Sequence, residues 1–308
     1  MVIDSQKMQS LAAATAREDI AGRSLWADAR RRFLRNKAAL FGLLLLVFVV
    51  LFALFGNSLA RWSNDEIDFS VMGQAAELGG PSFETGHYFG TDDLGRDLFA
   101  RTVQGTQISL AVGIIGSAIA VVVGTLWGAT AGYFGGRIDN IMMRTVDILL
   151  AIPYMFVLIL LLVMYGRSIT MLFAGVGLIS WLEMSRIVRG QTLSLKNRDY
   201  IEAARAIGVP ARTIIRRHIL PNLIGVVTVF ATLLVPNMIL TESFISFLGL
   251  GVQEPMTSLG ALISEGSGTI AYGTLWQLAF PLLFFVTTLF GFFFVGDGLR
   301  DALDPKDR

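Results

Sequence analysis

Six stretches of this chain contain no Asp, Glu, Lys or Arg: Ala38–Ala60, Thr102–Gly136, Ile148–Gly166, Ser168–Leu182, Ile219–Thr241 and Gly266–Gly296. A helix needs about 20 largely apolar residues to cross the hydrocarbon of a bilayer, and four of these runs reach that length alone. Ile148–Gly166 falls just short. Ser168–Leu182 reaches it by continuing past Glu183 to about Val188, with Arg186 at the interface. The pattern predicts an all-α membrane protein with six transmembrane helices. Its parts are a tail over 1–37, a first span over 38–60, a loop over 61–101, a core over 102–296 that includes a charged segment at 183–221, and a tail over 297–308.

The charges between the runs orient the chain. Lys and Arg number 21 in the two tails, the loop Arg137–Asp147 and the segment Glu183–His218, against 4 in the alternate connections. Cytoplasmic loops carry the excess of basic residues, so both termini and Glu183–His218 are expected inside and Arg61–Arg101 outside. That outer loop is acidic and reads as soluble. Its end, "GTDDLGRDLFAR" (Gly90–Arg101), has the glycines and aspartates of turns that lead into a capped helix. The small residues of "NSLA" (Asn57–Ala60) follow too long an apolar run for a cleaved signal peptide, so the first helix is expected to be retained. The tail ending "ARRRFLRNK" reads as a topology anchor, with anionic lipid as a lesser partner.

Composition agrees with lipid: 54% of residues are hydrophobic and 16% charged, where a soluble domain carries about a quarter charged. With no cysteine, disulfides and thiolate metal sites are excluded. Nucleotide-loop, HExxH and GxSxG patterns are absent, and neither His87 nor His218 has a second histidine nearby. Intrinsic catalysis, a metal, a cofactor and a nucleic-acid partner are therefore not expected. No expected span carries a charge in its middle, which argues against an ion-coupled carrier.

Within the second run Gly116, Ala120, Gly124, Gly128 and Gly132 recur every four residues. Such a stripe lets another helix approach closely in lipid, either in this chain or in a partner subunit. Pro153, Pro236 and Pro281 read as kinks that neighbouring helices tolerate. Arg144 and Asp147 are spaced to pair along one helix face.

The most charged ordered segment is "YIEAARAIGVPARTIIRRHILPN", Tyr200–Asn222. Asp199 followed by Glu202 suggests a capping box. The helix is expected to run to about Ile207 and to end at Gly208, which accepts a left-handed conformation cheaply. Pro210 then opens a second short helix that runs to about Ile219. Ile201, Ala204 and Ile207 would line one face of the first helix, and Ala211, Ile214 and Ile215 part of the second. Physics alone leaves two readings open: a hairpin on anionic headgroups, or an element that docks into the groove of a cytoplasmic partner.

"EAARAIG", nine residues and then "HILP" resemble the EAA loop of membrane subunits of ATP-binding-cassette importers. "GTDDLGRDLFAR", "GYFGGRIDNIMMRTVDILLAIP", "SRIVRGQTLSLKNRDYIEAA", "ESFISFLGLGVQEP" and "GDGLRDALDP" are similar to the dipeptide/oligopeptide/nickel permease family. "GRSLWADARRRFLRNKAAL" is closest to its oligopeptide C-subunit branch. The resemblance implies a type I importer permease fold in a bacterial inner membrane. It also implies a homologous second permease, two cytoplasmic ATPase subunits that bind ATP and Mg, and an extracytoplasmic peptide-binding protein. On that resemblance Asp199–Ile219 supplies the coupling helix, and Glu202, Ala203, Ala204, Gly208, Pro210, Leu220 and Pro221 are its candidate ATPase-coupling positions. Cargo within the family includes oligopeptides, dipeptides, murein peptides, nickel and peptide antibiotics. A self-sufficient carrier or a membrane scaffold is the reading outside the class.

Overall fold

The computed structural model describes residues 25–303. A short amphipathic helix α1 (Leu25–Arg35) leads into α2 (Lys37–Leu59), whose first turn is capped by the Asn36 side chain accepting from the Ala38 and Ala39 amides. In order there follow a small turn α3 (Ala75–Leu78), α4 (Leu98–Phe134), α5 (Gly136–Ala151), α6 (Tyr154–Tyr165) and α7 (Ile169–Leu195). The rest is α8 (Asp199–Ala206), α9 (Ala211–Ile214), a π-turn at Ile215–Ile219, α10 (Leu220–Phe247), α11 (Leu259–Thr269) and α12 (Trp276–Leu303). Among the described residues five helices are long and apolar enough to cross a membrane, and a sixth span exists if the bent pair α5–α6 is one. The protein is multi-pass.

Several elements differ from the sequence expectation. The third span is broken rather than kinked: α5 and α6 meet at 77° across Ile152–Pro153. Pro153 lacks an amide hydrogen and restricts Ile152 to extended backbone, so the helix stops there. The fourth span runs the full length of Ile169–Leu195. The fifth is continuous over Ala211–Phe247, so the second arm of the charged segment does not end near Ile219 but runs through the π-turn into α10. The sixth span begins at Trp276, because Gly266 belongs to the separate helix α11, whose first turns take up the end of what reads as a plain loop between Glu242 and Glu265.

The small-residue stripe lies against α7. A Cβ at Gly124 would stand 2.7 Å from the Trp181 carbonyl oxygen, and one at Gly132 2.8 Å from Thr192 Cβ; Gly128 abuts the Ser185 carbonyl. Gly116 is looser, with Met238 of α10 at 3.6 Å, and Ala120 is fully buried. The α2–α12 contact uses the same device, Gly42 against Phe294 and Gly291 against Leu46. Beside it the rings of Phe52 and Phe284 stack at 3.9 Å, and those of Phe89 and Phe280 at 4.1 Å. Phe89 thereby pins the 60–97 loop onto the helix ends.

That loop is ordered around buried charge. Asp92 accepts from the Leu94 and Arg96 amides and from the Arg96 and Arg101 guanidinium groups, and Arg101 reaches on to Glu265 of α11 at 2.8 Å. His87 is buried, stacked on Trp62, with Nδ1 2.9 Å from Asp97 and Nε2 3.4 Å from Asp68. Asp97 also caps α4 by accepting from the Ala100 amide at 2.7 Å. Burial pushes its carboxyl up, against the opposing pull of that amide and of His87.

Two roles of Asp97 can be separated. Asp97→Ala removes the cap and the partner of His87 and is expected to cost about 1–2 kcal/mol. Asp97→Asn keeps the cap and is expected to lose distinctly less. Thermal unfolding of the purified protein measures both; equal losses would assign the whole effect to the carboxylate charge.

Candidate coupling segment and intramembrane cleft

Why α8 starts where it does follows from the link before it. Only three residues separate α7 from α8, and the chain turns back on Lys196 and Asn197. Arg198 is then extended (φ −81°, ψ 143°) and takes the N-cap position with no side-chain cap bond. The expected capping box of Asp199 and Glu202 is not formed. Asp199 stands inside the helix, and both acids sit in its first turn, where the helix dipole favours negative charge.

The end of α8 is as expected. Gly208 has φ +79°; its amide donates to the Arg205 carbonyl and the Val209 amide to the Ala204 carbonyl, both at 3.0 Å. These two bonds form the glycine-terminated cap in which a left-handed residue closes the last turn. Pro210 lies at the N-cap of α9 rather than in its first turn, and its carbonyl accepts from the Thr213 and Ile214 amides.

One face of this elbow is glued to the bundle. Ile201, Ala204, Ile214 and Ile219 are buried with Ala129 and Tyr133 of α4 and Met184 and Val188 of α7. Arg205 lies over the Tyr133 ring, 5.4 Å from its centroid. Glu202, Ala203, Gly208, Pro210 and Pro221 are exposed, Ala204 is buried and Leu220 is half-buried. Ile207 does not join the inner face: it is 81% exposed, because the glycine cap turns the chain away from the bundle just before the inward face would come round again. It stands one turn beyond Ala203 on the outer side. A spacing of four from Ala203 was the only signal of this in the sequence.

Ion pairs brace the same end. Arg189 of α7 grips Asp139 of α5 with two nitrogens. Asp147 pairs with Arg186 of α7, not with Arg144 as their spacing suggested. The helices are close enough that a cross-helix guanidinium displaces the pairing within one helix.

Spanning helices do carry charge. Glu242 lies inside α10, fully buried, where a loop was expected. Its carboxylate accepts from Ser109 of α4 at 3.1 Å, from Ser243 at 3.2 Å and from Ser246 at 2.6 Å. Ser258, the N-cap of α11, donates to Ser246, and the Leu259 amide donates to Ser109. Three helices thus meet on one acid; an apolar stretch that continues past it was the missed signal.

Glu183 is another acid inside such a helix. It stands midway along α7 at the wall of a cleft of about 810 Å³ between the α5–α6 break, α7 and α10. Among the described residues no group of His, Asp or Glu is arranged to hold a metal ion.

The architecture is that of an ATP-binding-cassette importer permease. The solved structure "Inward facing conformations of the MetNI methionine ABC transporter" superposes with a TM-score of 0.54 over 66% of this chain and 95% of that one, at 18% identity. The chain belongs to the family of binding-protein-dependent transport system inner membrane components, whose model matches residues 124–308. Residues 24–76 match the N-terminal transmembrane domain of oligopeptide transport permease C.

Curated relatives are transport system permease proteins. The Escherichia coli K12 oligopeptide transport system permease protein OppC is 50% identical over the whole of both chains. Its Haemophilus influenzae counterpart is 52% identical over 93% of this chain and 90% of its own. The Bacillus subtilis dipeptide transport system permease protein DppC is 43% identical over 91% of this chain and 86% of its own.

Proposed function

We propose that this chain is a non-catalytic permease subunit of an ATP-driven importer, forming half of a translocation path for oligopeptides across a bacterial inner membrane. The observation that carries the reading is full-length identity of 50% to an oligopeptide transport permease. Both termini and α8 then lie in the cytoplasm, following the basic residues. A homologous permease completes the path, two ATPase subunits bind ATP and Mg, and an extracytoplasmic binding protein delivers peptide. The elbow Asp199–Ile219 is the coupling element. It is rigidly seated by Ile201 and Ile214 and presents Glu202, Ala203 and Ile207 outward, so a push from a closing ATPase would pass to α4, α7 and α10. Rigid rocking of bundles is an established route to alternating access.

Dipeptide cargo is the second reading, supported by the 43% identical dipeptide permease. Uptake of labelled di-, tri- and pentapeptides by the complex in proteoliposomes decides between them. Oligopeptide import is expected; uptake of dipeptides alone would replace it.

Orientation has its own check. The native chain lacks cysteine, and Glu84 and Ser194 are both exposed. In intact cells Glu84→Cys is expected to react with an impermeant thiol reagent and Ser194→Cys to stay unlabelled. The reverse pattern would overturn the orientation.

A further inference from the structure

Three features converge on the cleft beside the broken span. Ile152 and Pro153, outside any helix, lie exposed at its edge. Irregular backbone at membrane depth persists only where protein buries it or where it lines an aqueous cavity. Glu183 is exposed on the α7 wall and has no ion-pair or hydrogen-bond partner among the described residues. It lies fourteen residues from one end of α7 and twelve from the other, about 20 Å from each at 1.5 Å per residue. Asn237 and Thr241, one turn apart on α10, face the same space. The Asn237 amide nitrogen donates to the Leu233 carbonyl, which leaves its side-chain oxygen open.

We propose that this cleft holds the main chain of a peptide in transit, with the Glu183 carboxylate receiving the peptide's α-ammonium group and Asn237 and Thr241 bonding its amides. The proposal rests on the peptide-import reading above. Peptides of varied sequence share only an ammonium, a carboxylate and a row of amides, so a path that accepts many of them can grip only those groups. The remaining wall is mostly apolar, with Leu150, Met155 and Met238, and its Ser180 hydroxyl already bonds the Val176 carbonyl, so little of it distinguishes one side chain from another. The volume lies within the roughly 300–1,000 Å³ of small-ligand sites. Lipid tails would have no use for Glu183, Asn237 and Thr241, and a permanently seated apolar helix would leave Glu183 buried without a cation, at high cost.

The test uses the complete complex in proteoliposomes, with its binding protein and labelled tri-alanine. Glu183→Gln is expected to slow uptake about tenfold, the weight of one charge-assisted hydrogen bond, with assembly of the complex unchanged. Glu183→Asp restores most of the rate, and N-acetylated tri-alanine is handled alike by wild type and Glu183→Gln. Photoreactive Asn237→p-benzoylphenylalanine is expected to capture labelled peptide during turnover. Wild-type uptake rates in Glu183→Gln, or capture of the second permease alone, overturn the proposal while leaving peptide import standing. A wild-type complex that imports no peptide overturns import itself and the proposal with it.

Discussion

Replacing Gly128 by leucine is expected to abolish recovery of the folded permease from the membrane. At this position α4 and α7 are so close that a Cβ would press on backbone, the Ser185 carbonyl and the Arg189 amide, the latter at 2.9 Å. A flexible side chain can swing aside; a helix backbone moves only by separating the two helices. Overpacking a core with extra methylenes costs about 1–3 kcal/mol when side chains can adjust. Here they cannot, and in lipid there is no hydrophobic drive between helices to offset lost packing. Gly190 provides the control, since nothing lies within 4 Å of its Cβ direction; Gly190→Leu is expected to leave the yield of this chain unchanged. The measurement is the monodisperse fraction after detergent extraction. A normal yield for Gly128→Leu would mean that the α4–α7 contact is not what holds this half of the bundle together.

The second large effect is expected at Gly208. Its φ of +79° lies where proline cannot go, and its amide donates the bond that closes α8. Gly208→Pro fixes φ near −65° and removes that donor, so the elbow must re-form and Glu202, Ala203 and Ile207 lose their places. The bundle itself should survive, because a Cβ at Gly208 would meet nothing within 4 Å. The complex is therefore expected to insert but to hydrolyse ATP without moving peptide, or to lose its ATPase subunits. Gly208→Ala should be milder, since a left-handed alanine costs about 1–2 kcal/mol without a steric clash. Peptide uptake and ATP hydrolysis by the reconstituted complex report both. Wild-type transport by Gly208→Pro would show that Asp199–Ile219 is not the coupling element.

What depends on local chemistry was legible in the order of residues alone. Uncharged runs located most of each spanning helix, because charge in hydrocarbon is costly and long apolar runs are where the chain avoids it. Gly208 was legible as the end of α8 because a left-handed turn before Pro210 strongly favours glycine. The elbow's inner face was legible only as far as Ala204, since Ile207 falls beyond the point where the cap redirects the chain. Partner choice was decided by the tertiary structure. The spacing of Gly116–Gly132 announces a close neighbour but cannot name α7, and Asp147 finds Arg186 rather than Arg144 because a neighbouring helix brings a better-placed cation. The same holds for two of the acids within spanning helices. Glu183 and Glu242 read as the ends of apolar runs, and only packing distinguishes them: four serines from three helices surround one, and a cleft opens beside the other. A carboxylate's cost in a membrane depends on what stands within hydrogen-bonding distance, which residues far apart in the chain supply only after the helices have packed.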